Sequence, residues 1–555
     1  MISPWYKPSS PGVVPASHGA RRRVTLLLLL IAAGAFAVRV WLSAPFSPAA
    51  SLGDPDGYLE YARLIADGSG TWRWTGAAVE YAEFTKAPLY QVLMSGFTSF
   101  PGIFPMPRTA LLLHAALSTL TVLLLYVTGR ELHSTRAGVL SAIAYACWVP
   151  NILLTTTVWQ EHLYVPLLVG GFAQLGRAVR LEAPSQWVLA GAIFGVAALA
   201  RSSIAYFLLP AAIFWVCVTP GRARSAAQAA LLIVSFAAVT LPYSLHISSS
   251  ARQAIFIENI GYFTLKRSPV NASGLRIESF MEDTRRAPST GEVMRYFASD
   301  VAHDPAGFVL LRLELFRMLL KPMGPMLLPS TTAETRVAAG WLKAVVHGLV
   351  DLPFVICVTL APLGAVLCRV RRFGGLLLLW VALLLSMLAL TSWAGVRFRA
   401  PAEPAMIVLA AVVLSGGWRR PRRAVLAGAI AVSALAGTLS MMNVKAVIQA
   451  RANYGVDDWA PHMTEADFTG SAGLHVIVGK PRLSLLLART ERTPGGPVDV
   501  EVRFDGRLAD RFRITEPHPQ EVVYPMTQFG VVYLEVAATV EGRPAGLRLR
   551  VHAAE

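Results

Sequence analysis

The sequence predicts a polytopic α-helical membrane protein of about eleven transmembrane helices, followed by a C-terminal, extracytoplasmic, all-β sandwich-like domain. Three observations carry that expectation. Hydrophobic residues make up 54% of the 555 and charged residues only 15%, where soluble domains carry about 25% charge. Long apolar stretches recur along most of the chain, and every second connection between them is basic. From about residue 443 the pattern changes to short runs of alternating apolar and polar residues, the period of a half-buried strand.

The apolar segments fall near 24–42, 108–129, 137–154, 159–178, 186–201, 203–219, 226–243, 344–367, 374–393, 404–418 and 424–441. Crossing hydrocarbon takes about 20 residues. The first segment lies in "RRRVTLLLLLIAAGAFAVRVWL". Its apolar core of about 19 residues exceeds a signal-peptide core of about 7–15 and is not followed by an A-x-A-like site, so it is expected to remain as a span. Basic clusters stand at Arg21–Arg22–Arg23, Arg130 with Arg136, Arg177 with Arg180, Arg222 with Arg224, Arg369 with Arg371 and Arg372, and "RRPRR" at 419–423. These put the N-terminus and alternate loops in the cytoplasm of a bacterial inner or plasma membrane, and the C-terminus outside. The net charge of +16, from 50 basic and 34 acidic residues, therefore reads as topology and affinity for anionic lipid phosphates. Nucleic acid is not expected as a partner.

Four stretches then lie on the outer side: the loops 43–107 and 244–343, the short "VRFRAPAEP" at 396–404, and the tail. In "DPAGFVLLRLELFRMLLKP" at 304–322, apolar residues recur at helical spacing around Arg312, Glu314 and Arg317, which predicts a membrane-parallel helix. In the tail, "VDVEVRFDGRLADRFRI" alternates through Val498, Val500, Val502 and Phe504, turns at Asp505–Gly506, and resumes at Leu508: a hairpin. Similar alternation at Leu474–Val478, Leu483–Leu487, Val532–Val536 and Leu547–Val551 predicts a small antiparallel sandwich. The expected domains are 1–442 and 443–555. Cys147, Cys217, Cys357 and Cys368 lie in or beside apolar segments, without metal or disulfide spacing, and read as buried apolar residues.

The candidate chemistry begins in "SLGDPDGYLEYARLIADG" at 51–68, where Asp54 and Asp56 stand two residues apart just past the first span. Either acid can cap the short helix that Tyr58 and Ile65 outline, a role worth about 1 kcal/mol. Either can also act as general base, since a partly desolvated carboxylate takes a proton from a hydroxyl. Glu161 opens the fourth span, where a carboxylate is costly unless partnered. Lys86, Arg201, Arg397 and Arg399 fall at outer span ends, against the positive-inside trend, and fit an anionic partner outside. A lipid-linked phosphate is one such partner; anchoring to headgroups is the other. Tyr58, Trp72, Trp74 and Tyr81 suit stacking on a sugar or prenyl chain, or an interfacial aromatic belt.

These pieces resemble a known family. The form D-x-D-x-Y-x-x-x-A after the first span is similar to the first outer loop of C-type (GT-C) glycosyltransferases, such as the protein O-mannosyltransferases and the lipid A aminoarabinose transferase. "TKAPLYQVLMSGF" at 85–97, "TTTVWQEHLYVPLL" at 155–168, "ALARSSIAYFLLP" at 198–210, "LPYSLHISSSARQAIFIENIGYFTLKRSPVN" and "GVRFRAPAEPAMIVLA" resemble further family segments, in order, across roughly residues 20–442. The resemblance implies a polyprenyl-phosphate sugar donor and transfer on the outer face, usually with inversion. Asp54 matches the family's catalytic aspartate. Asp56 stands second, because Pro55 separates acids that the family often has adjacent. Glu161 shares a metal with Asp54 or orients the acceptor; the sequence itself requires no cofactor, and a divalent metal is an open option. The acceptor is a protein, lipid or glycan. The alternative, a multi-span transporter or lipid flippase with an extracytoplasmic binding domain, predicts charges at the midplane and two related halves. The informative charges here gather at the outer mouths. A non-catalytic scaffold leaves the first-loop acids without a role.

Overall fold

The structure is a computed structural model. It describes residues 18–43, 58–67, 87–100, 108–251, 256–257, isolated positions between 295 and 320, 340–390, 396–418, 421–449, and most of 465–554. The helices are α1 (His18–Ser43), α2 (Tyr58–Ala66), α3 (Pro88–Thr98), α4 (Arg108–Leu132) and α5 (Thr135–Ala146). Next come α6 (Val149–Leu154), α7 (Glu161–Leu181), α8 (Pro184–Ala200), α9 (Ala205–Val218) and α10 (Arg222–Ala251). The last are α11 (Gly340–Leu367), α12 (Arg371–Leu390), α13 (Val396–Arg399), α14 (Glu403–Ser415) and α15 (Arg423–Gln449).

Among the described residues, each predicted apolar segment falls largely on helix. Among the described residues, five helices are long and apolar enough to cross a membrane: Arg22–Leu42, Arg108–Leu132, Arg222–Ser249, Arg371–Leu390 and Arg423–Met441. Pro184–Ala200, Ser202–Val218, Asp351–Leu367 and Glu403–Ser415 are apolar but shorter. The boundary expected at 442–443 falls inside α15. In the predicted loop helix at 304–322, the residues described are helical as far as Leu319. Cys357 and Cys368 are buried as expected, but Cys147 and Cys217 are exposed.

The segment expected as one helix over 137–154 is two, and the reason is local. Pro150 has no N–H to offer the carbonyl of Ala146, four residues back. Arg39 of α1, wholly buried, takes that carbonyl instead. Its Nη1 donates to Ala146 O at 3.3 Å and Nη2 to Tyr145 O at 3.3 Å, while Nε donates to Ser118 Oγ at 2.8 Å. A charge inside the bundle is thus satisfied by the end of a broken helix.

The helical core includes an aromatic cluster. Phe172 packs on Phe194 and Phe207 at 5.4 and 5.7 Å, and Trp380 completes it at 6.0 Å from Phe172. Gly171 must lack a side chain, because a Cβ there would meet the Phe194 ring. At the opposite end of α4 and α7 from the site described below, buried Glu131 gathers Arg130 at 3.1 Å, Arg180 at 2.6 Å and Arg177 at 3.9 Å. His133 Nε2 lies 2.8 Å from Gly416 O, and the Val370 N–H donates to Leu132 O at 3.1 Å, which locks that end.

The strands are β1 (Glu465–Thr469), β2 (Ser471–Val478), β3 (Arg482–Arg489), β4 (Val498–Phe504), β5 (Arg507–Ile514), β6 (Gln520–Pro525), β7 (Gly530–Val540), β8 (Arg543–Pro544) and β9 (Gly546–Ala554). One sheet runs β1-β9-β3-β6 and the other β2-β7-β4-β5, with β8 beside β7. The predicted hairpin is β4–β5, pairing Val498 with Ile514 and Phe504 with Arg507. Leu483, Leu485 and Leu487 of one sheet share a core with Val498, Val500, Val502, Leu534 and Val536 of the other. Two sheets enclosing one core make a sandwich.

Candidate active site

Glu161 is the first residue of α7, where a carboxylate complements the positive end of the helix. It is 3% exposed, and its Oε1 accepts from Arg201 Nη1. Arg201 caps the C-terminus of α8 in extended backbone, and a 3-10 turn at Ser202–Ile204 leads straight into α9. Ser203 Oγ donates to the Tyr164 hydroxyl at 2.9 Å, fastening this turn to α7. The Arg201 guanidinium, on a side chain still 12% exposed, lies 5.2 Å from the Phe398 ring. The fourth-span acid and the fifth-to-sixth-span arginine of the sequence analysis therefore meet.

Arg399 follows Phe398 but points into the bundle. It is wholly buried, donating from Nε to Glu403 Oε1 at 3.2 Å and from Nη1 to Leu319 O at 2.7 Å. Its guanidinium carbon stands 3.7 Å from the Phe354 ring centroid. Glu403 Oε2 in turn accepts from Trp148 Nε1 at 2.7 Å. This set ties α13 and α14 to α11 and to the α5–α6 junction.

A third group lies beside Glu161. His162 Nε2 lies 2.7 Å from Leu154 O, and its ring stacks on His114 at 4.2 Å. His114 Nε2 lies 2.8 Å from the Tyr90 hydroxyl, and Tyr58 packs edge-on against Tyr90 at 5.3 Å. Tyr58 is the residue at which the chain leaves the acid-bearing loop and enters α2.

Of the predicted site residues, the structure brings Glu161, Arg201, Arg399 and Tyr58 into these connected groups. Tyr58 is 2% exposed, so its ring packs within the stack rather than facing outward. Arg397 lies in α13, but its side chain is outside the described residues. Asp54, Asp56, Trp72, Trp74, Tyr81 and Lys86 also lie outside them. Tyr90, His114, His162, Trp148 and Glu403 were not singled out by sequence reasoning. The adjacency of His162 to Glu161 was the one available signal. Among the described residues no group of three or more His, Cys, Asp or Glu side chains is placed to hold a metal. Glu161 is engaged by Arg201 and supplies a single carboxylate.

Residues 85–246 match the family model described as dolichyl-phosphate-mannose-protein mannosyltransferase. No curated protein matches the chain in sequence. Among solved structures, the chain is similar to the oligosaccharyltransferase AglB from Archaeoglobus fulgidus, solved with an inhibitory peptide and a dolichol-phosphate. The two are 18% identical with a TM-score of 0.45, over 78% of this chain and 56% of that one. It is also similar to ArnT from Cupriavidus metallidurans, solved with undecaprenyl phosphate, at 15% identity and a TM-score of 0.41, over 79% of this chain and 67% of that one. The arabinosyltransferase EmbB from Mycobacterium smegmatis is 12% identical with a TM-score of 0.28, over 97% of this chain and 65% of that one. The chain thus spans little more than half of the archaeal enzyme's length. The family match runs over α3 to α10 and includes both members of the Glu161–Arg201 pair. Over those residues, somewhat under a third of the chain, the protein is similar to the dolichyl-phosphate-mannose-protein mannosyltransferase family.

Proposed function

We propose that the protein moves a sugar from a polyprenyl-phosphate-linked donor to an acceptor on the extracytoplasmic face, with inversion, and that Asp54 is the general base. Asp56 is the second choice for the base. In the reaction, the carboxylate takes the proton of an acceptor hydroxyl as the acceptor oxygen bonds to the anomeric carbon. The bond from that carbon to the phosphate oxygen breaks, and its electron pair leaves with the polyprenyl phosphate. Cations must meet the charge that develops there. Arg201 is assigned that role with Lys86 and Arg397. The acceptor is a protein, lipid or glycan.

The observation that carries this reading is the Glu161–Arg201 pair at the mouth of α7 and α8, inside the family match. A guanidinium held by a buried carboxylate, yet still partly exposed, is preorganised for a second anion. Arg399, wholly buried, supports α13 beneath it. Asp56 precedes the buried anchor Tyr58 by two residues and Asp54 by four. An extended chain spans at most about 3.6 Å per residue, so the acids stay within about 14 Å of that anchor. The reading routes no step through a metal.

The test is transfer from a radiolabelled polyprenyl-phosphate sugar pool in liposomes, comparing wild type with Asp54→Asn and Asp56→Asn. The reading expects Asp54→Asn to lose transfer while keeping donor binding. Full transfer by both variants would remove the proposed base.

A further inference from the structure

The Tyr58–Tyr90–His114–His162 stack takes no part in the proposed chemistry, yet it runs through four helices to the residue next to Glu161. All four rings are at most 4% exposed. Each comes from a different element: α2, α3, α4 and α7. Burying two imidazoles among apolar helices carries a desolvation cost that Leu or Phe at the same places would avoid. Here the Nε2 of each ring has a partner. His162 Nε2 faces the Leu154 carbonyl, so that nitrogen carries a proton and donates. This bond closes the connection between α6 and α7 back on itself. Thr155 and Thr157 hydroxyls bind Ile152 and Leu154 carbonyls within the same connection. The stacked His114 then holds the His162 ring in plane, and Tyr90 holds His114.

We propose that His162, steadied by His114 and Tyr90, is a positioning residue that fixes the first turn of α7 so that Glu161 meets Arg201. The binding arm of its test rests on the donor-phosphate role proposed for Arg201; the other arm does not. Amide exchange of the segment 155–165 is measured in detergent without donor, for wild type, His162→Phe and His162→Gln. Phe keeps a ring and loses the donor, whereas Gln restores a donor at the position of Nε2. Exchange is expected to speed up about tenfold in His162→Phe and to return to the wild-type rate in His162→Gln. Unchanged exchange in His162→Phe would overturn the proposal.

The second arm is a double-mutant cycle between His162→Phe and Arg201→Gln, read as affinity for undecaprenyl phosphate. Each single variant is expected to weaken binding about tenfold, with the double variant no worse than the weaker single. Multiplicative losses would show that His162 does not act through the pair and would overturn the proposal. If Arg201→Gln binds as tightly as wild type, the donor role of Arg201 falls, and the exchange arm alone decides the positioning of Glu161.

Discussion

Arg201, in the turn between α8 and α9, forms an ion pair with Glu161, the first residue of α7, and both side chains are largely withdrawn from solvent. Such a pair is tolerated because each charge satisfies the other. Removing one partner leaves an uncompensated buried charge, which costs about 3–5 kcal/mol. Arg201→Gln is therefore expected to lower the melting temperature in detergent more than the double variant Glu161→Gln/Arg201→Gln does. Equal losses in single and double variants would mean that the pair is not coupled.

Arg39 and Pro150 form a matched set across α1 and α6. Arg39→Ala strips the Ala146 and Tyr145 carbonyls and Ser118 of a charged donor, a loss of about 3 kcal/mol or more. Adding Pro150→Ala returns an N–H to the Ala146 carbonyl and should recover part of that loss. Thermal melting of the two variants checks this.

The Trp148–Glu403–Arg399 set makes a sharper comparison. Trp148→Phe preserves most of the apolar volume but removes the donor to Glu403 Oε2, so it is expected to cost about 1–3 kcal/mol. Arg399→Lys loses the bond from Nε and the broad face over Phe354, and should cost more than Trp148→Phe. Melting curves in one detergent rank the two.

In the sandwich, the Arg503 hydrogen bond and the nearby Arg511 hold the Glu501 carboxyl below its usual range. A depressed carboxyl contributes stability that is present above its unfolded value, about 4.3, and is lost as pH falls through the folded one. The protection of 498–514, taken relative to the intrinsic exchange rate at each pH, should therefore fall on acidification below about pH 4.3 by more in wild type than in Glu501→Gln. Parallel profiles would rule out this contribution.

The helices were legible because each apolar segment is long, and the hairpin because Asp505–Gly506 sits between alternating runs. Strand β6 was not, because Gln520, Glu521 and Val523 leave an exposed edge with little alternation. The break between α5 and α6 was half visible in Pro150. Its resolution by Arg39, more than a hundred residues earlier, depends on tertiary contact. Glu161 and Arg201 were each legible as charges in costly places, though their pairing was not. The His114–His162 stack was silent, since α4 and α7 bring together two residues that share no local pattern.

The most direct measurement is sugar transfer from a radiolabelled polyprenyl-phosphate sugar pool by the purified protein in liposomes, beside an Arg201→Gln variant assayed well below its own melting temperature. The account predicts transfer by wild type and loss of most of it in the variant. No transfer by wild type from any donor in the pool, or full transfer by Arg201→Gln, would contradict it.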